Sequence, residues 1–469
     1  MLGFNMGPLC ITCVCIADDV YVLSDCPRKL QAAIDIVGHF GKRYRVVFNA
    51  SKTRVTVTGS KADMQYYQDV KMWTLYGDTL EVTEDNEHLG MTVSGQAEEA
   101  KNVDENTQQC RAALFALLGT AFTYRSKISP KTQVHLWRLY CQPVLRSGLA
   151  ALPIRPGQVK IMTTFHHKIL RGFLKLSPSS PIPALYFLLG ELPIEAALHL
   201  DVLGLFHNIW ANPTTTVYEV LRYILKMSDR QSVTWAAHVR TLCAMYGLPD
   251  PLALLEKEDA WPKSVWKNWC QTKVRAFHEK FWRTKALSNS KMSYLNIQLS
   301  GLTGRHHPAL NGILTTRDVE RLRPHIKMLT GDYLTYSRIV LDRKGEGDPS
   351  CRICSNSESP QTAPALTDTI EHILTECKGT AEVRERLFPE LLNILLSVEP
   401  NHTFLSLPPK LHSLDITLTQ FILDCTSFNL PETIRISHSN SRHTDIFRFS
   451  RDFCYAIHKK RMSILKTQK

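Results

Sequence analysis

Leu9-Cys10-Ile11-Thr12-Cys13-Val14-Cys15-Ile16-Ala17-Asp18-Asp19-Val20-Tyr21-Val22-Leu23 is the stretch on which the fold turns. Two short runs rich in apolar and β-branched residues flank a pair of acids, which reads as strand, tight turn, strand. Leu9 to Cys15 is expected to be a buried strand and Val20 to Leu23 its partner. Asp18 and Asp19 then stand at the tip of a hairpin. Adjacent carboxylates repel one another and lose hydration when partly buried. A divalent cation relieves both, and Mg²⁺ suits one or two carboxylates together with phosphate oxygens. An ordinary acidic turn would carry the same residues, so the segments around them decide.

Up to about residue 95 strand and helix signals alternate. Leu30, Ala33, Ile34, Val37 and Phe40 recur at helical spacing after Pro27, and Gly41 is expected to end that helix. Arg45 to Phe48 and Thr53 to Thr58 read as strands, with Val55 and Val57 facing one way. Met72 to Leu75 and Leu89 to Val93 complete a small α+β unit. From about residue 100 the pattern is helical, through Ala112 to Leu118, Lys131 to Leu145, Val159 to Leu174 and Ala184 to Ile209. Pro178, Pro181 and Pro183 with their serines mark a loop, residues 211–216 a linker and residues 343–350 a boundary. Trp235, Trp261, Trp266, Trp269 and Trp282 are expected to pack between helices.

A chain of 469 residues, 44% hydrophobic and 21% charged, is globular and long enough for several domains. A net charge of +12 favours a polyanionic partner. The 13 cysteines are odd in number and scattered, which argues against a disulfide framework and for reduced thiols in the nucleus or cytoplasm. Residues 1–16 are apolar but lack a basic leader region, so they are expected to form a core strand rather than a signal or membrane segment.

After the acidic pair come a helix, a strand, and then Phe48-Asn49-Ala50-Ser51-Lys52-Thr53, Trp73-Thr74-Leu75-Tyr76-Gly77 and Glu87-His88-Leu89-Gly90. In this order the segments resemble the palm of reverse transcriptases from non-LTR (LINE-type) retrotransposons. Ala17-Asp18-Asp19 resembles their catalytic hairpin, Asn49 to Thr53 the following palm motif, and Leu89-Gly90 the turn that grips the primer. Pro130 to Pro143, His167 to Arg171 and Leu189 to Glu195 are similar to their thumb, and Leu329 to Thr335 to a segment before their C-terminal cysteine motif. Two positions depart from the family, where an aromatic residue commonly precedes the Ala-Asp-Asp and the Leu-Gly: here they are Ile16 and His88.

The resemblance implies an RNA-directed DNA polymerase acting by two-metal nucleotidyl transfer, with cations about 4 Å apart. Asp18 would be the main Mg²⁺ ligand and Asp19 a second, with the Leu89-Gly90 backbone at the primer end. RNA template and DNA primer or target are the implied partners. Lys52 either meets the incoming triphosphate or is a solvated strand-edge lysine. The family's first catalytic Asp lies well upstream of the pair, whereas only 17 residues precede Asp18 and none is acidic. This chain alone is therefore expected to be an incomplete, inactive polymerase. A non-catalytic nucleic-acid-binding protein derived from such an element is the alternative.

A second constellation is Cys351-x2-Cys354-x17-His372-x4-Cys377. Two thiols on one turn and two further ligands on a returning loop suit a tetrahedral Zn²⁺, against thiols and an imidazole that hold no metal. Asp368-x-x-Glu371 reads as a capping box for a short helix carrying His372. On a regular helix His372 and Cys377 would point about 140° apart, so the helix must unwind, and Gly379 is expected to permit it. The resemblance extends here, to the CCHC motif of LINE-type enzymes, which implies contact with nucleic acid.

Residues 434–469 hold nine Lys/Arg against Asp445 and Asp452, a net +7. Ile446, Phe449, Phe453, Ala456 and Ile457 recur at helical spacing, leaving Arg448, Arg451, Lys459 and Lys460 on other faces, either to track phosphates or as a solvated face. His166-His167 and His306-His307 read as surface or satisfied core residues. The organisation expected is an α+β partial palm over residues 1–97 and a helical thumb-like region over 98–210. A helical connection over 211–342, a zinc module over 343–390 and a basic region over 391–469 follow.

Overall fold

The structure, a computed structural model, describes residues 2–94, 98–118, 128–227, 233–257, 259–297, 301–302, 304–313, 315–343, 345–355, 366–396, 414–427 and 441–467. It is mostly helical, with small sheets confined to the N-terminal part. Two compact units divide the chain. The first comprises Met1–Cys110, Val144–Met162 and Ala197–Val274, the second Arg111–Pro143, Thr163–Ala196 and Arg275–Lys469. No described helix is long and apolar enough to cross a membrane.

In the first unit every sheet among the described residues is a two-stranded ribbon. Phe4–Met6 pairs with Leu9–Ile11, Cys13–Ile16 with Asp19–Val22, and Asp85–His88 with Met91–Ser94, all antiparallel. Arg54–Thr56 runs parallel to Glu81–Thr83. The single buried strand expected from Leu9 to Cys15 is thus broken at Thr12 into parts of two hairpins. Nor is it buried, since Cys13 to Ile16 are all exposed. A ribbon two strands wide covers neither of its own faces. Cys13 and Cys15, within the stretch expected to be buried, therefore lie in the open with their Sγ atoms 3.3 Å apart.

Pro27 opens the helix Pro27–Tyr44, which runs through Gly41 and ends at Arg45. Arg45 takes the left-handed conformation (φ 57°), and its N–H returns to the Gly41 carbonyl. That turn throws the chain outward, so Arg45 to Phe48 is not a strand and Val47 is 87% exposed. Gly41 serves packing instead of termination: a Cβ there would strike the Tyr76 hydroxyl and lie 2.6 Å from the Val46 oxygen. The helix Lys61–Val70, which the apolar pattern did not signal, starts at a capping box formed by Ser60 and Asp63. Ile34, Val55, Trp73, Leu75, Leu80 and Val82 form the local core. Gln31 locks helix to strand by accepting from the Thr74 N–H (2.8 Å) and donating to its carbonyl (2.9 Å). Farther along, Trp210, Trp261, Trp266 and Trp269 form a packing cluster of tilted and edge-to-face rings, with the Trp266 Nε1–H on the Leu203 carbonyl.

The second unit is organised around its last helix, Ser441–Thr467. Ile446, Phe449, Phe453 and Ile457 are buried as their spacing predicts. Arg451 and Arg461 are buried as well, so Arg451 leaves the expected basic surface, whereas Arg448 and Lys459 are exposed. A buried guanidinium needs acceptors, and Arg451 finds them in the carbonyls of Ala309, Asn311 and Gly312. Lys460 pairs with Glu382 at 2.7 Å. Residues 434–440 and 468–469 of the basic stretch lie outside the described residues.

Of the paired histidines, His166, His167 and His307 are core residues and His306 is half-buried. His166 stacks flat on Trp137 with both ring nitrogens unbonded, and burial pushes its pKa down to about 3. His167 bonds the Tyr186 hydroxyl at 2.7 Å. His306 donates to the Leu189 carbonyl, and His307 lies 3.3 Å from the buried Asp424.

Candidate metal centre

Two arms of chain bring the four ligands together. Ser350 and Thr367 form an isolated antiparallel bridge, reinforced by the Cys351 N–H on the Leu366 carbonyl and the Asp368 N–H on the Pro349 carbonyl, each 2.8 Å. Cys351 leads into the short helix Arg352–Ser355, which turns Cys354 back beside it. The other arm makes a π-turn over His372–Glu376 and leaves it at Cys377. The Cys377 N–H bonds the His372 carbonyl five residues back, at 2.7 Å. The wider turn is the unwinding that the sequence required, and it sets His372 and Cys377 on one side.

Cys351 Sγ lies 3.9 Å from Cys377 Sγ, Cys354 Sγ 3.7 Å from Cys377 Sγ, and His372 Nε2 3.4 Å from Cys354 Sγ. All four donor atoms fall within 4.8 Å of one another. Zinc–sulfur bonds of about 2.3 Å in a tetrahedron require sulfurs about 3.8 Å apart, and a nitrogen about 3.5 Å from each sulfur. The side chains therefore fit Zn²⁺ as they stand. Among the described residues this is the one group of three or more Cys, His, Asp or Glu side chains compact enough to hold an ion.

The surroundings fix the ligands. Glu376 Oε2 stands 3.4 Å from His372 Nδ1, which turns Nε2 toward the thiols in the manner of a carboxylate–histidine–metal relay. Arg384 donates to the Cys377 carbonyl (2.8 Å) and to the Thr380 hydroxyl (2.7 Å). Ile353, Ile464 and Leu465 pack over the cluster. Gly379 does not unwind the helix. It makes room, because a Cβ there would run into Ile353 and crowd Ile464.

The capping box expected at Asp368 and Glu371 is not formed. Arg461 takes the Asp368 carboxylate through two bonds of 2.7 and 2.8 Å, with both side chains buried, and the Tyr336 N–H adds a third at 2.6 Å. Glu371 is drawn to the Tyr294 hydroxyl. Thr369 caps instead, accepting from the His372 N–H. A bidentate bond charged on both sides outcompetes single backbone N–H donors for this carboxylate.

Electrostatics explain what the four groups lack without a cation. Hydrogen bonding from Cys377 holds the Cys351 thiol well below its ordinary value, aided by His372 and by the N–H groups of Cys354 and Ile353. Cys377 is driven up by that same thiolate and by burial, and Cys354 chiefly by burial. Burial alone would lower His372, but the Cys351 thiolate and Glu376 outweigh it and raise it. One thiolate is tolerated, and three within this distance need a metal.

The acidic hairpin is arranged differently. Ile16 pairs with Asp19, leaving Ala17 and Asp18 as a two-residue turn with Ala17 in the left-handed region (φ 55°). Asp18 is exposed, and the Asp19 side chain is 56% exposed with Oδ2 3.8 Å from His88 Nδ1. The His88 ring lies 4.2 Å from that of Tyr21. His88 ends the strand before Leu89 and Gly90, whose positive φ values (49° and 74°) make the tight turn expected for a two-residue hairpin. The tips of these two hairpins are therefore neighbours. Lys52 lies exposed in a turn that Asn49 closes by accepting from Ser51 and Thr53.

Among the described residues no third acid, His or Cys joins Asp18 and Asp19 in a group compact enough for an ion. Asp18 and Asp19 by themselves do not make an all-protein octahedral Mg²⁺ site. Sequence reasoning missed Glu376, Arg384 and Arg461. Only Glu376, four residues after His372, carries a local signal. No protein-family model matches the chain, and no curated protein matches it.

Proposed function

We propose that this chain is a nucleic-acid-binding protein of reverse-transcriptase descent, with palm-like and thumb-like segments and a zinc-organised C-terminal module. The observation that carries this is the meeting of two hairpin tips, Ile16–Asp19 and His88–Met91, through His88 and Asp19. A polymerase palm needs such an approach between its acidic turn and its primer-holding turn, and the motif order along the chain agrees with it. The net charge of +12 supports a polyanionic partner. Exposed Asp18 and Asp19, which no third acid, His or Cys joins in a compact group among the described residues, favour binding over polymerisation.

The test is equilibrium binding of the full chain to single-stranded RNA, duplex DNA and an RNA–DNA hybrid across a salt series, with primer extension on poly(rA)/oligo(dT) in parallel. Salt-sensitive binding without DNA synthesis is expected. Absence of binding to all three at low salt overturns the proposal. Synthesis that Asp18→Ala abolishes overturns its non-catalytic half.

A further inference from the structure

A dication held by three thiolates and one neutral imidazole carries one surplus negative charge. Cys351, His372 and Cys377 are buried, so that charge has to be met by the protein. We propose that Arg384 is the outer-sphere counter-cation of this site, a positioning residue whose charge sets the affinity for zinc. The inference rests on the zinc-organised module proposed above.

Arg384 sits in the first turn of the helix Ala381–Leu396, and it is partly buried. Both conditions oppose a cation, since burial strips its hydration and the helix start carries positive partial charge. Burial is the larger influence and holds its pKa below the ordinary arginine value, and the local groups offset part of that penalty. The guanidinium bonds the carbonyl of the ligand Cys377 and the Thr380 hydroxyl, and Thr380 in turn bonds the carbonyls of Ile373 and Cys377. The thiolates of Cys377 and Cys354 are the leading influences that favour its charge. Arg461 is committed to Asp368, and Lys460 to Glu382. Backbone N–H groups of Lys378 and Gly379 add donors toward Cys354 and Cys377, so the start of this helix forms a positive cradle on the sulfur side.

The experiment is competition for zinc between a chromophoric chelator and the full chain, in wild type, Arg384→Gln, Arg384→Lys, Cys354→His and the double variant Cys354→His/Arg384→Gln. Arg384→Gln is expected to weaken zinc by about 10–100-fold, the range for outer-shell losses, with Arg384→Lys recovering part of it. Cys354→His yields a neutral two-thiolate, two-imidazole site, where the same Gln substitution is expected to matter less than about threefold. An equal loss in both backgrounds assigns Arg384 to backbone bracing and overturns the proposal, as does no loss in wild type.

If Cys354→His holds no zinc, alkylation of the loaded protein by iodoacetamide decides. Sulfur left without its counter-cation should react about threefold faster or more in Arg384→Gln, and an unchanged rate overturns the proposal. Wild type that binds no zinc refutes the zinc module itself, a distinct outcome.

Discussion

Asp18 and Asp19 sit on an open two-residue turn, whereas Cys351, Cys354, His372 and Cys377 converge under a lid of Ile353, Ile464 and Leu465. The contrast shows how differently two ligand motifs encode a site. Within 27 residues the cysteine motif supplies a whole tetrahedron, together with the π-turn that aims it. The acidic pair supplies two donors, and any others have to come from elsewhere in a fold. The first site is therefore buried into the architecture of its unit, and the second is presented by a ribbon that covers neither of its faces.

The largest effect that could break this contrast is zinc removal. Structural zinc contributes about 10–16 kcal/mol in small zinc modules near neutral pH. Chelation of the full chain should unfold residues 366–377 and loosen the end of the C-terminal helix that seals them. Hydrogen exchange should then lose protection around Arg461 to Leu465, and undiminished protection would show that the centre does not organise this helix.

Next in size is the Arg461–Asp368 pair, both of whose side chains are buried. Arg461→Ala leaves a buried carboxylate without its cation and should cost about 3–5 kcal/mol in urea denaturation of the full chain. A loss near zero would mean that the carboxylate is hydrated. The third effect concerns His166, held neutral with its pKa near 3 by burial. A depressed folded pKa gives stability that is complete above the unfolded value and is lost as pH falls below it. Between pH 6.5 and 5 wild type should lose about 2 kcal/mol more than His166→Phe. Parallel pH profiles for the two would contradict that.

The smallest effects belong to the acidic hairpin. Asp18→Ala should change stability by no more than about 0.5 kcal/mol, because the side chain is exposed. Ala17→Gly should stabilise by about 1 kcal/mol by relieving the left-handed backbone. Substantial destabilisation by either would reveal contacts that the open turn does not have.

Sequence legibility divides along the same line. The Cys/His spacing named four converging residues, and the apolar period of Ile446, Phe449, Phe453 and Ile457 named the buried face of the last helix. Misreadings arose where a distant partner overrode a local pattern. Asp368 reads as a helix cap until Arg461, 93 residues away, claims it. Arg451 reads as solvated until three carbonyls near residue 310 take it up. Apolar Cys13 to Ile16 reads as core because alternation does not report how many strands will lie alongside.

Zinc content of the full chain, purified without chelator, tests the metal centre most directly. About one equivalent per chain is expected, falling to nearly none in Cys377→Ser. Less than about a tenth of an equivalent in wild type would contradict a Cys351-Cys354-His372-Cys377 zinc site.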